Sequence, residues 1–141
     1  MKRIVLMLVV GIAASGLAIA QRGIAYADDL TRTVLMKKEL EGSPNREVTV
    51  FVADYKPGGR SGKHYHPGQE FIYVVSGQGR MEEVGKPPVE MKPGTELYFL
   101  SDPKNPSYVH EAIDLGQTEG MKLLVVLITE KGQPLAYPPK Q

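Results

Sequence analysis

Between residues 34 and 130 the chain is a succession of short apolar runs separated by turn residues. The runs 47–54 (EVTVFVAD), 71–75 (FIYVV), 78–84, 89–92, 96–100 (ELYFL), 107–114 and 122–130 (KLLVVLITE) each have the length and residue types of a strand. Ser76-Gly77, the Gly85 to Pro88 stretch and Pro93-Gly94 supply the turns between them. Only 31–40 carries a trace of helical periodicity. Many short strands at this spacing predict an all-β sandwich or barrel, in one domain without an internal repeat. Strand parity places Ile72 and Val74 on one face with Glu70, and Phe71, Tyr73 and Val75 on the other. That second face is apolar, and 122–128 is apolar on both faces. Together they predict a partner surface, read as a homodimer formed by sheet packing. Tyr98 and Phe99 are expected to fill the core.

The ends of the chain follow different rules. Lys2 and Arg3 precede a seventeen-residue apolar run, 4–20, and small residues at Ala25-Tyr26-Ala27 then precede Asp28-Asp29. This is the layout of a secretory signal peptide, 1–27, so a periplasmic or secreted location is expected. Ala18-Ile19-Ala20 is a second possible cleavage site. An uncleaved membrane anchor is the alternative, but the run is short for a span and contains Gly11, Ser15 and Gly16. No stable membrane insertion is therefore expected after cleavage. Residues 28–45 read as an N-terminal extension. The tail, 132–141, is proline-rich and expected to be extended and partly loose.

Composition narrows the function classes. Hydrophobic residues make up 42% and charged residues 23%, ordinary for a soluble domain. Fifteen glycines and eleven prolines in 141 residues fit a turn-rich β fold. Removing 1–27 takes away three bases and no acid, leaving 14 bases against 16 acids and a net charge of −2. Neither that charge nor any basic run points to a nucleic-acid partner. With no cysteine, no disulfide supports the domain.

The candidate chemistry lies in the histidines. The chain has three. His64 and His66 stand two apart, so in an extended segment both imidazoles leave the same face and can converge on one ion. Pro67-Gly68 lets the chain reverse, and Glu70 can swing back toward the same point. His110 follows forty-four residues after His66. HxH alone is weak, because a histidine in a strand is more often structural than a ligand. HxH followed by a glutamate four residues later, inside β-like sequence, is far more specific. Imidazoles and a carboxylate in this density suit a divalent transition metal: Mn, Fe, Ni, Cu or Zn.

These residues also reproduce a known pattern. Gly58, His64, His66, Glu70 and Gly77 match the first motif of the cupin superfamily, G-x5-H-x-H-x3,4-E-x6-G, at every fixed position. The chain thus resembles a small single-domain cupin, similar to quercetin dioxygenase-like and germin-like proteins. The resemblance implies a single jelly-roll β-barrel over 46–131 and a metal held within it by His64, His66, Glu70 and His110. The second motif, roughly G-x5-P-x-G-x2-H-x3-N, is altered. Ser107 stands where glycine is usual, the proline is displaced to Pro106, and Asp114 replaces the asparagine. A longer, proline-rich path through 101–106 is expected to reshape the barrel mouth.

Three His and one Glu leave coordination positions open for a small-molecule ligand. The resemblance points to a metal-dependent oxidoreductase of the dioxygenase kind, acting on a small oxygenated organic molecule. Glu70 is the candidate catalytic base as well as a ligand. A non-catalytic metal- or ligand-binding module is the alternative from another class, and a metal-assisted isomerase or lyase a third. Arg60 and Lys63 are expected to point outward or lie in a loop.

Overall fold

The computed structural model describes residues 29–101 and 108–139. The expected signal peptide and residues 102–106 of the proline-rich path lie outside the described residues. Eight strands and no helix occur among the residues described: β1 Leu30–Glu39, β2 Arg46–Tyr55, β3 Gly68–Ser76, β4 Gly79–Glu83, β5 Val89–Met91, β6 Glu96–Leu100, β7 His110–Asp114 and β8 Lys122–Glu130. A five-stranded sheet runs in the order β1-β2-β8-β3-β6, and a three-stranded sheet in the order β5-β4-β7. All pairings are antiparallel.

Alternation along each strand builds the core. Phe51, Ala53 and Tyr55 of β2, Leu123, Val125 and Leu127 of β8, and Ile72 and Val74 of β3 are buried on the inner face of the large sheet. Met81 of β4, Met91 of β5 and Ala112 of β7 are buried with them in one cluster. The parity of β3 is as the sequence predicts: Glu70 is buried, while Phe71, Tyr73 and Val75 are exposed. In β6 the expectation divides. Phe99 is buried, but Tyr98 is 53% exposed because the same alternation turns it outward.

Residues 31–40 are strand, not helix. β1 pairs with β2 from Leu30↔Tyr55 to Glu39↔Glu47, with a register shift between Val34 and Met36. The unpaired backbone groups along β2 reward a neighbouring strand, and β-branched Thr31, Thr33 and Val34 suit the pleat. The segment read as an appended extension thereby completes the sheet, and Arg32, in register with Ala53, takes the inward parity.

The tail is likewise tied down. Tyr137 N donates to Tyr65 O at 2.8 Å, and Tyr65 N donates to Tyr137 O at 3.0 Å. Their rings stack at 5.4 Å, and Ala136 is buried. Tyr65 points away from its histidine neighbours as strand parity requires, yet the tail covers it.

Candidate metal centre

Backbone pairing brings the two distant parts of the site together. His64 N donates to His110 O at 3.0 Å, and His110 N donates to His64 O at 2.9 Å. Further along the same seam Ser61 N donates to Ala112 O at 3.0 Å and Asp114 N to Gly59 O at 2.8 Å. The segment carrying the first two histidines thus runs antiparallel to β7. Asp114 secures its start: Oδ2 accepts from Gly58 N at 2.8 Å and from Gly116 N at 3.1 Å. The departure from asparagine therefore keeps a structural acceptor where the first motif begins.

After His66 the chain turns sharply, with Gly68 N donating to His66 O at 3.0 Å. A Cβ at Gly68 would lie 2.2 Å from the Ile128 carbonyl oxygen, so no larger residue fits against β8 there. This close approach delivers Glu70 to the inner face, in register with Phe99 of β6 and Leu127 of β8. Phe99 in turn stacks on His110, with ring centroids 4.5 Å apart.

All four side chains are buried. His64 Nε2 lies 3.1 Å from His66 Nε2, His66 Nε2 lies 3.1 Å from Glu70 Oε1, and His110 Nε2 lies 3.3 Å from Glu70 Oε2. The three imidazoles each offer a nitrogen within 4.8 Å of the others. Two ligands at about 2.1 Å from one ion, at tetrahedral to right angles, stand roughly 3.0–3.4 Å apart. The three contacts at 3.1–3.3 Å match that span, and the histidine nitrogens as a set lie within 4.8 Å.

The tautomers point the same way. His64 Nδ1 donates to Gly62 O at 2.8 Å, and His66 Nδ1 donates to Leu135 O at 2.5 Å. With both Nδ1 protons committed to carbonyls, the two Nε2 atoms face each other at 3.1 Å, a contact that only a proton or a cation between them makes favourable. Glu70 Oε2 is buried and accepts no hydrogen bond, an arrangement costly without a cation. The donor set therefore fits a metal ion.

Electrostatics also acts on the candidate ligands. Burial, with the charges of His66 and His110 adding to it, holds the His64 imidazole down at about 3. Burial also lowers His110, with Glu70 opposing. Burial pushes the Glu70 carboxyl up, but the charges of His66 and His110 and the hydrogen bond from His66 outweigh it, and it falls to about 2. His64 is neutral and Glu70 ionised at neutral pH, the states in which each can ligate.

A narrow cavity opens onto these groups, and the volume accessible to the centre of a water-sized molecule is about 20 Å³. Phe51, Ile72, Met81 and Leu123 are among its apolar walls, and Tyr55 and Arg32 are polar residues within it. Arg60 turns away from the site and forms a two-point pair with Glu111, each contact 2.9 Å; Lys63 is exposed. Sequence reasoning missed Arg32, Tyr55 and the Leu135 carbonyl. Arg32 becomes visible only once β1 is paired in register with β2, and a backbone carbonyl leaves no signature in side-chain type.

Two antiparallel sheets enclosing a histidine-rich cavity define a small β-barrel protein with a possible three-histidine metal site. The chain belongs to the cupin family, whose cupin domain matches residues 51–127. Its fold is similar to that of the DMSP lyase DddQ from Ruegeria pomeroyi (TM-score 0.59, 17% identity), an alignment covering 84% of this chain and 55% of the lyase. It is also similar to an uncharacterised double-stranded β-helix protein from Klebsiella pneumoniae (TM-score 0.57, 21% identity, 80% and 87% covered). A third likeness is to a cupin-like protein from Thermotoga maritima (TM-score 0.53, 24% identity, 82% and 84% covered). The chain thus spans little more than half of the lyase and most of the other two. No curated protein matches the sequence significantly.

Proposed function

We propose that this cupin is a metal-dependent enzyme holding a divalent transition metal on His64, His66, Glu70 and His110, and that it acts as an oxidoreductase of the dioxygenase kind on a small oxygenated molecule. The observation that carries the metal reading is the approach of two Nε2 atoms to 3.1 Å while both Nδ1 protons are committed to carbonyls. Bound there, the metal would supply Lewis-acid polarisation of a substrate oxygen and, if redox-active, electron transfer. The protein's own contribution is a largely apolar enclosure and a base. Glu70 Oε2, buried and accepting no hydrogen bond, is the atom placed to take a proton from a substrate hydroxyl.

A lyase or isomerase is the second reading. It is favoured by the Tyr55 phenol in the same cavity, which burial holds protonated and which can donate a hydrogen bond to a developing oxyanion without any redox change. A lyase also stands among the proteins that share this fold.

The test is metal content by mass spectrometry on the purified protein, followed by dioxygen uptake with flavonols, diketones and enediols. About one equivalent of metal, lost in His66→Ala, supports the site; under about 0.2 equivalents in the wild type defeats it. Uptake with Mn, Fe, Ni or Cu supports the oxidoreductase. Full metal occupancy with neither uptake nor turnover moves the protein to the binding-module class.

Two further proposals concern context. The apolar run at 4–20 supports export and cleavage after Ala27, giving a periplasmic or secreted protein; the mass of the mature N-terminus tests this. The outward Phe71, Tyr73, Val75, Tyr98 and Leu100, all exposed, support a homodimer through the outer face of the large sheet. A dimer mass by light scattering that reverts to monomer in Tyr73→Glu is the expected result.

A further inference from the structure

Every wall of the cavity beyond the proposed ligands is apolar except two residues on adjacent strands. Arg32 of β1 is half-buried, and Tyr55 of β2 is buried. Register places Arg32 opposite Ala53, two positions along β2 from Tyr55 and on the same face, and all three residues line the cavity that holds His64, His66, Glu70 and His110. We propose that Arg32 and Tyr55 form an anion anchor, and that the substrate is a small carboxylate whose carboxyl group sits on this pair while its neighbouring oxygen faces the histidines.

The inference rests on the metal reading above and deepens it. Charge balance is the first argument. A divalent ion outweighs the single Glu70 carboxylate by one positive charge in a largely apolar enclosure, where an anion is favoured over a neutral guest. Geometry of donors is the second. A guanidinium carries five N–H groups, enough for a protein partner and a two-point carboxylate contact together. The Tyr55 hydroxyl is the third. Burial raises its phenol, while the Arg32 charge and a Ser61 hydrogen bond oppose the rise. It therefore stays an O–H donor at neutral pH, on a residue that lines the cavity. The restricted volume favours a guest of few heavy atoms, which makes a small α-oxo or α-hydroxy acid the class to test.

Pyruvate and its neutral isostere pyruvamide test this with the cobalt(II)-loaded protein, by calorimetry and by the visible spectrum of the ion. We expect pyruvate to bind at least tenfold more tightly than pyruvamide. Arg32→Gln should erase that preference, and Arg32→Lys should restore part of it. Tyr55→Phe should weaken pyruvate several-fold. Cobalt content and the binding of neutral imidazole should be unchanged in all three variants. An unaltered pyruvate preference in Arg32→Gln, with cobalt content intact, overturns the anchor and leaves the metal site standing. Failure of the wild type to hold cobalt overturns the metal reading instead. The anchor is then judged on the metal-free protein by NMR: pyruvate must shift Arg32 and Tyr55 signals where pyruvamide does not, and the absence of such shifts refutes it.

Discussion

Ending the chain after Gln133 should cost the site its metal affinity while leaving the barrel folded. Residues 134–139 contribute two backbone hydrogen bonds through Tyr137, the Tyr65–Tyr137 stack and the buried Ala136. Three hydrogen bonds, counting Tyr137 to Gln133, at about 1 kcal/mol each, a stack near 1 kcal/mol and about 2 kcal/mol for Leu135 packed on the core come to roughly 6 kcal/mol. Ordering six residues costs at least about that much, so truncation should change the stability of the metal-free barrel little. The Leu135 carbonyl has a different role. It accepts the Nδ1 proton of His66 at 2.5 Å and so fixes both the tautomer and the ring orientation of a proposed ligand. Losing such a partner lowers metal affinity about 10–100-fold, or about 1.4–2.7 kcal/mol. Zinc competition against a chromophoric chelator at neutral pH measures this directly, with the thermal midpoint of the metal-free protein as control. Tyr137→Ala, which removes the stack but keeps the carbonyl, should weaken zinc less than tenfold. Equal zinc affinity in truncated and full-length protein, with equal thermal midpoints, would refute the assignment of Leu135 as the partner that holds His66.

Three other outcomes follow from particular contacts. Phe99→Ala removes the ring stacked on His110 and leaves a cavity, so it should lower stability by about 3 kcal/mol in a urea titration and weaken metal as well; Phe99→Leu should recover most of the stability. Gly68→Ala drives a Cβ to 2.2 Å from the Ile128 carbonyl oxygen; with backbone rather than a flexible side chain in the way, metal stoichiometry should fall along with stability. The hydrogen bond from Arg60 holds Glu111 below the ordinary carboxylate range. A folded-state value below the unfolded one means the unfolded chain binds more protons as acid is added, so this stabilisation is present above about pH 4.3 and is lost as pH falls through the folded value. Because the Arg60 side chain is 51% exposed, the effect should stay under about 1 kcal/mol, and Glu111→Gln should flatten the wild-type fall in urea midpoint between neutral and acid pH.

The site was legible in sequence to the extent that local geometry governs it. A spacing of two puts His64 and His66 on one face because strand side chains alternate, and Pro67-Gly68 forecasts the reversal that returns Glu70 to them. The same alternation foretold which face of β3 is buried. It did not distinguish strand from helix at 31–40, where Thr, Val, Leu, Lys and Glu satisfy either period weakly and the deciding factor is the open edge of β2. Nor did it reveal the docked tail, since three prolines in a short terminal stretch describe an extended chain without saying what lies beneath it.

By itself, the sequence determined the all-β architecture through periodicity and, through the motif it shares with cupins, the family and the four candidate site residues. Tertiary structure alone decided what surrounds them. His110 faces His64 because β7 pairs with the 58–66 segment across a long chain separation. Arg32 enters the cavity because β1 pairs with β2 in one register, where a shift of a single residue would turn it to the outer face. The Leu135 carbonyl reaches His66 because Tyr137 pairs with Tyr65. Each of these placements is a long-range backbone pairing, whose partner is chosen by the folded barrel as a whole and is written in neither segment alone.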